Sequence, residues 1–198
     1  MILETIAEHT VAVDLLTGGP VLDAGARGFV FSKWFAERGH EVYAMDPSPD
    51  IESPPTGVTL IKDALVGIGM PQMMSLEMAG DPGAWFMKCD GSFNSVPVST
   101  RTMDDVPYTL WPEMWDVVKL DIEGSEYDVL MTWPGPIANQ ITVEFHEHTA
   151  RKRGDKAIQD IVDHLSQWYK PVQHEKTQAQ CAGWNYWDSL FVLKSLCA

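Results

Sequence analysis

The sequence predicts an α/β nucleotide-binding fold, and three observations in one stretch carry that prediction. Between Val21 and Asp46 the chain reads VLDAGARGFVFSKWFAERGHEVYAMD. First, the apolar run Pro20-Val21-Leu22 ends in Asp23 and a tight turn holding Gly25, Ala26 and Gly28. Second, an amphipathic helix follows, with Phe31, Trp34 and Phe35 on one side, Lys33, Glu37 and Arg38 on the other, and Gly39 closing it. Third, another apolar run, Val42-Tyr43-Ala44-Met45, ends in the acid Asp46. Strand, turn, helix and acid-terminated strand make the first half of such a fold.

Asp23 discriminates between nucleotides. A dinucleotide fingerprint places glycine there so that backbone can approach a pyrophosphate, whereas this turn reads D-A-G-A-R-G. A carboxylate repels a pyrophosphate and attracts the sulfonium and ammonium of S-adenosylmethionine. Asp46 suits either cofactor, because a carboxylate accepts hydrogen bonds from both ribose hydroxyls. The stretch therefore favours S-adenosylmethionine over NAD. An ordinary βαβ turn whose acids only cap helices is the plainer alternative.

The 198 residues, 45% of them hydrophobic, suffice for one domain over residues 1–198 with a full core. Acids outnumber Lys and Arg by 28 to 14, for a net charge of -14, which disfavours direct nucleic-acid binding. No apolar run reaches membrane-spanning length, and acids stand where a signal peptide carries basic residues. Cys89, Cys181 and Cys197 lack metal-type spacing and read as free thiols of a cytoplasmic protein. Oligomeric state is left open.

Taken in order, residues 2–16 are expected to be a helix that Gly18-Gly19-Pro20 breaks. Val58 to Ile61 reads as a third strand, with Asp63 and Ala64 at its ligand-facing end, where Asp63 can accept from an adenine amino group or remain a solvated loop acid. Residues 66–100 read as a β-rich insertion, with strands near Met73–Met78, Ala84–Lys88 and Val96–Thr100. Val117 to Leu120 is a buried strand running into Asp121-Ile122-Glu123-Gly124, and Ser125 is expected to cap a helix from Glu126 to Trp133. Ile141-Thr142-Val143 leads into Glu144, His146 and His148, residues 155–168 form a helix, and Tyr186 to Leu193 is the last strand. Helical spacing puts Trp34, Trp133 and Trp168 in the core, while Trp85, Trp111, Trp115 and Trp184 lie in irregular segments where they could stack on a flat acceptor, although core is the plainer reading for each.

A second set of acids follows separate strands. Asp121, Glu123 and Glu144 fall on one crevice rim if the sheet is parallel, and alternation sends Glu144 and His146 to the same side. His146 is a candidate general base, with Glu144 or Asp121 orienting it; a carboxylate raised by like-charged neighbours could take the proton instead, and a satisfied strand histidine is the plainer reading of His146. Asp121, Glu144, His146 and His148 could also hold a divalent metal, although no spacing is diagnostic. Glu126 is expected to favour the positive end of its helix.

The stretches VLDAGARG, YAMDPSP, VPVSTRTMDDV, VVKLDIEGSEYDVL, ITVEFHEH and YWDSLFV resemble, in order and spacing, the FkbM-type methyltransferases, over roughly residues 18–193. The resemblance implies a Rossmann-like class I methyltransferase fold: a mostly parallel seven-stranded sheet, last strand antiparallel, helices on both faces. It implies S-adenosylmethionine as donor and O-methylation of a hydroxyl on a sugar, glycan or small natural product. By position, Asp23, Gly25, Ala26 and Gly28 would surround the methionine part of the cofactor, Asp46 the ribose, and Asp63 and Ala64 the adenine. Asp121, Glu123, Glu144 and His146 would face methyl transfer, with Asp121 also against the cofactor. The alternatives are a cofactor-binding module without turnover and an NAD-dependent oxidoreductase.

Overall fold

The computed structural model describes residues 1–78, 85–88, 95–105, 114–133, 135–146, 156–178 and 185–197. Its main sheet has seven strands. In chain order these are β3 (Val21–Ala24), β4 (Val42–Met45), β5 (Val58–Ile61), β10 (Trp115–Leu120), β11 (Ala138–His146), β12 (Tyr169–Gln178) and β13 (Asn185–Leu193). They lie in the spatial order β12-β13-β11-β10-β3-β4-β5. Neighbours from β11 to β5 pair in parallel, while β13 is antiparallel to both β11 and β12. The sheet is thus mixed, and the reversed strand is the last one, as expected.

Three α-helices are present among the described residues: α1 (Val30–Ala36), α2 (Glu126–Met131) and α3 (Ala157–Leu165). Alternation along the central strands sends side chains to both faces. Val21, Val42, Ala44 and Val117 pack with Phe31 and Phe35 of α1. Leu22, Tyr43, Met45, Val118 and Leu120 pack with Val129 and Leu130 of α2 and Ile161 and Leu165 of α3. Among the described residues, the connection from β5 to β10 is built mainly from strands. There β6 (Ala64–Leu65), β7 (Met73–Met78), β8 (Trp85–Lys88) and β9 (Ser95–Arg101) form a second sheet, in the order β6-β9-β7-β8. This falls where a β-rich insertion is expected.

The expected helix over residues 2–16 is corrected. The segment is a hairpin of β1 (Leu3–Ile6) and β2 (His9–Ala12) followed by a short 3-10 turn. Its two-residue turn puts Ala7 and Glu8 at φ 46° and 77°, the left-handed pair such hairpins require. Asn or Gly ordinarily signals that geometry, and neither is present. Tertiary contacts hold the hairpin instead: the Gln140 carboxamide accepts from Ala12 N at 2.8 Å and donates to Ala12 O at 3.0 Å. The loop ahead of β3 is tied down by Asp116, fully buried in β10, which accepts from the amides of Thr17, Gly18 and Gly19 at 2.8, 2.9 and 3.2 Å. Trp115, expected in an irregular segment, lies in β10 with no exposed surface and is core, so it is removed from the acceptor-stacking set. Trp111, Trp184 and the side chain of Trp85 lie outside the described residues, as does His148.

Candidate active site

The carboxyl ends of β3, β4 and β10 open on a crevice of about 190 Å³. Gly25 and Arg27 line it after β3, Asp46 and Ser48 after β4, and Asp121, Ile122 and Glu123 after β10. Ala64, Leu65 and Leu76 add an apolar wall from the second sheet. A ligand crevice belongs at this place in an open α/β sheet.

The turn after β3 is compact for identifiable reasons. Gly25 has φ +80°, and a Cβ there would stand 1.7 Å from the carbonyl oxygen of Asp121, so no side chain fits. The Gly25 amide donates to Met45 O at 2.8 Å and the Ala26 amide to the same oxygen at 3.4 Å. Ala26 is buried, and Gly28, at φ +77°, faces open space. Of the expected turn residues, Gly25 alone lines the crevice.

Asp23 does not line the crevice but lies beneath it. The side chain is 1% exposed. Its Oδ2 accepts from Ser32 N at 3.1 Å and Ser32 Oγ at 2.6 Å, and its Oδ1 pairs with Lys119 Nζ at 3.0 Å. Asp23 therefore neutralises the start of α1 from beneath. Lys119, wholly buried, also donates to Gly25 O at 2.7 Å. Burial alone would lower its pKa; Asp23 and then Asp121 outweigh it and hold the ammonium charged.

Asp46 stands in the crevice with its Oδ1 accepting from Ser48 N at 2.8 Å, which fixes the carboxylate against the loop. Asp63 is corrected. Its Oδ2 takes two guanidinium nitrogens of Arg101 at 2.7 and 2.8 Å and its Oδ1 accepts from Ser99 Oγ. A carboxylate so engaged ties the second sheet to β5 and is not available to an adenine, while its neighbour Ala64 does line the crevice.

Asp121, Glu123, Glu144 and His146 do come together. His146 Nε2 lies 3.3 Å from Glu123 Oε2 and 3.8 Å from Asp121 Oδ1, and a carboxylate oxygen of Glu144 lies within 4.8 Å of one of Asp121. Glu126 completes the group, and sequence reasoning had placed it elsewhere. Rather than merely facing the helix end, its Oε1 accepts from Ile122 N and Gly124 N, both at 3.1 Å, and contacts His146 Nδ1 at 2.9 Å. Ser125 makes no side-chain cap, so Glu126 does the work expected of it. The KLDIEGSE segment could have revealed this, because a glutamate two residues past a loop glycine reaches back to loop amides.

Electrostatics bear on the expected base. Burial would lower the His146 pKa, but Glu126 first, then Glu123 and Asp121, push it up to about 10. That direction favours the imidazolium form. Burial favours a neutral Asp121, yet Lys119, His9 and His146 hold it well below the usual carboxylate range. Burial raises Glu123, with Asp121 and Glu126 adding to it, and raises Glu144 to about 8, with Asp121 the next cause. His9 was also missed: its Nε2 stands 3.7 Å from Asp121 Oδ2. Reading residues 2–16 as a helix hid it.

Seven strands ordered about a central crossover, the reversed last strand and an acidic crevice without a phosphate cradle define a methyltransferase-type α/β protein. The FkbM methyltransferase domain model matches residues 23–171, and the chain belongs to that family of S-adenosylmethionine-dependent methyltransferases. No curated protein sequence matches the chain. Among solved structures, it is similar to the N-methyltransferase NodS from Bradyrhizobium japonicum WM9. The TM-score there is 0.50 at 9% identity, over 88% of this chain and 85% of that one, a likeness of fold alone. The 1,6-didemethyltoxoflavin-N1-methyltransferase of Burkholderia thailandensis, solved with its substrate and S-adenosylhomocysteine, aligns at a TM-score of 0.40 and 16% identity, over 89% and 72% of the two chains. Among the described residues no helix is long and apolar enough to cross a membrane.

Proposed function

We propose that the protein methylates a hydroxyl of a sugar, glycan or small natural product, with S-adenosylmethionine bound in the crevice between Gly25, Asp46 and Asp121. The observation that carries this reading is the closed state of the first turn. Its Gly25 and Ala26 amides are spent on Met45 O, and the Ser32 amide of α1 is spent on Asp23. Two amides of the turn and one at the helix start are thus taken from any pyrophosphate. The acidic crevice fits a cofactor that brings a sulfonium and an ammonium.

When bound, that cofactor supplies an activated methyl group: the S–CH₃ bond breaks as the O–CH₃ bond forms, and sulfur keeps the electron pair. The chain has three tasks. Asp46 accepts from the ribose hydroxyls. The Gly25 turn and the Leu65 and Leu76 wall align the donor for in-line attack. Glu123, on the crevice wall beside the entering hydroxyl, takes its proton, while the His146 imidazolium at 3.3 Å orients that carboxylate. Asp121 and Glu144 form the polar side where the acceptor enters.

Calorimetric titration with S-adenosylhomocysteine, alongside NADH, tests the cofactor. Micromolar binding of the first alone is expected, whereas NADH binding without it overturns the reading. Transfer of labelled methyl from S-adenosylmethionine to a panel of sugars and phenols then tests the acceptor class. Label found only on amines would defeat the hydroxyl assignment.

A further inference from the structure

We propose that His9, Asp121 and Glu144 bind one divalent cation beside the crevice that Asp121 lines, with an open coordination position for the acceptor hydroxyl. The site stands on its own geometry; its use in methyl transfer rests on the reading above.

One ligand atom from each of the three residues lies within 4.8 Å of the others. Metal bonds of about 2.0–2.3 Å set ligand atoms roughly 3–4.6 Å apart around one ion, so shifts of tenths of an ångström close the set. His9 brings the imidazole of the set. Its side chain is 3% exposed, its ring sits edge-on to Phe31, and its Nε2 faces Asp121 Oδ2 from 3.7 Å. An imidazole nitrogen held at that separation from a carboxylate can close with it on a shared ion.

The three ligands come from three rigid pieces of backbone: β2, the end of β10, and β11. The double hydrogen bond between Gln140 and Ala12 bolts β2 onto β11, so His9 is presented at a set height over the sheet. Lys119 is the competing cation, 3.6 Å from Asp121 Oδ2, but closer contacts with Asp23 and Gly25 O hold it at 3.0 and 2.7 Å. Glu123, Glu8 and Asp188 add negative charge around Asp121 and Glu144, while His146 is held by Glu126. One imidazole with two carboxylates suits a Mn²⁺-type ion better than Mg²⁺, which prefers oxygen alone. Three protein ligands leave positions where a hydroxyl can bind and lose its proton more readily.

The experiment is a Mn²⁺ titration of the EDTA-stripped, dialysed full chain, with free Mn²⁺ read by electron paramagnetic resonance. Mg²⁺ and Zn²⁺ serve as competitors, and circular dichroism checks each variant's fold. One saturable Mn²⁺ per chain is expected. His9→Ala and the near-isosteric Glu144→Gln should each weaken it at least about tenfold, with Glu123→Gln and the surface control Glu37→Gln near wild type. Absence of saturable binding overturns the site. So does binding that survives both His9→Ala and Glu144→Gln, or binding that depends on Glu123 instead. S-adenosylhomocysteine affinity measured on the same samples separates the two claims. Cofactor binding without Mn²⁺ binding removes the site alone, and Mn²⁺ binding without cofactor binding removes the methyltransferase reading alone.

Discussion

Asp23 and Asp46 end adjacent strands with the same side chain and do different things. Asp23 is sealed against Lys119 and Ser32, so Asp23→Ala strands a buried ammonium. Its expected cost is about 3–5 kcal/mol in chemical denaturation, with any loss of cofactor affinity following from the damaged turn. Asp46→Ala should keep a cooperative melt and lose about 100-fold in S-adenosylhomocysteine affinity by calorimetry, because a charged acceptor for two ribose hydroxyls is gone. Equal melting losses in the two variants would contradict this division. Tyr43 supplies a pH test. Burial first, and its 2.5 Å hydrogen bond to Glu41, raise the phenol to about 12 from an ordinary 10.0. The folded state then keeps a proton that the unfolded state releases, so stability falls as pH rises from about 10 toward 12. Tyr43→Phe should flatten that part of a stability-against-pH curve; an unchanged slope would remove the phenol from the account.

Among the elements, those with strong periodicity were legible. The β3–α1–β4 unit, the buried β10 and β11, the insertion strands and α3 follow from alternation or helical spacing that tertiary contacts only confirm. The first hairpin was not, because its turn uses Ala7 and Glu8 where local chemistry offers no cue, and its partner lies 128 residues away at Gln140. Asp121, Glu123 and Glu144 come together beside His146, but what the other acids touch was not legible. Arg101 claims Asp63, and Glu126 claims His146, through pairings that no spacing encodes. Asp116 shows how one side chain holds an element in place. Asp116→Ala frees the amides of Thr17, Gly18 and Gly19 together, for an expected loss of about 3 kcal/mol, or roughly 6–12 °C in melting temperature. Gln140→Ala should cost only about 1–2 kcal/mol by denaturant melt, while hydrogen exchange rises selectively across residues 3–12.

At the scale of the whole molecule, the strand order gathers residues from positions 9, 46, 121 and 146 onto one edge of one sheet. The excess of acids, -14 overall, is partly resolved there by Lys119 and His146 and leaves a field that draws cations inward. Cofactor affinity should therefore fall with added salt more steeply than a neutral crevice allows, by calorimetry from about 50 to 300 mM NaCl. A flat salt dependence would mean that contact hydrogen bonds, not the field, dominate binding.

The Gln140 clasp on Ala12 also sets an order of events during synthesis. The hairpin leaves the ribosome early, but its dock on β11 is made more than a hundred residues later. Until then its apolar strand has no sheet to cover, and closing so long a loop is slow. The hairpin is thus among the last pieces to settle, and His9 reaches Asp121 only once β11 has been built.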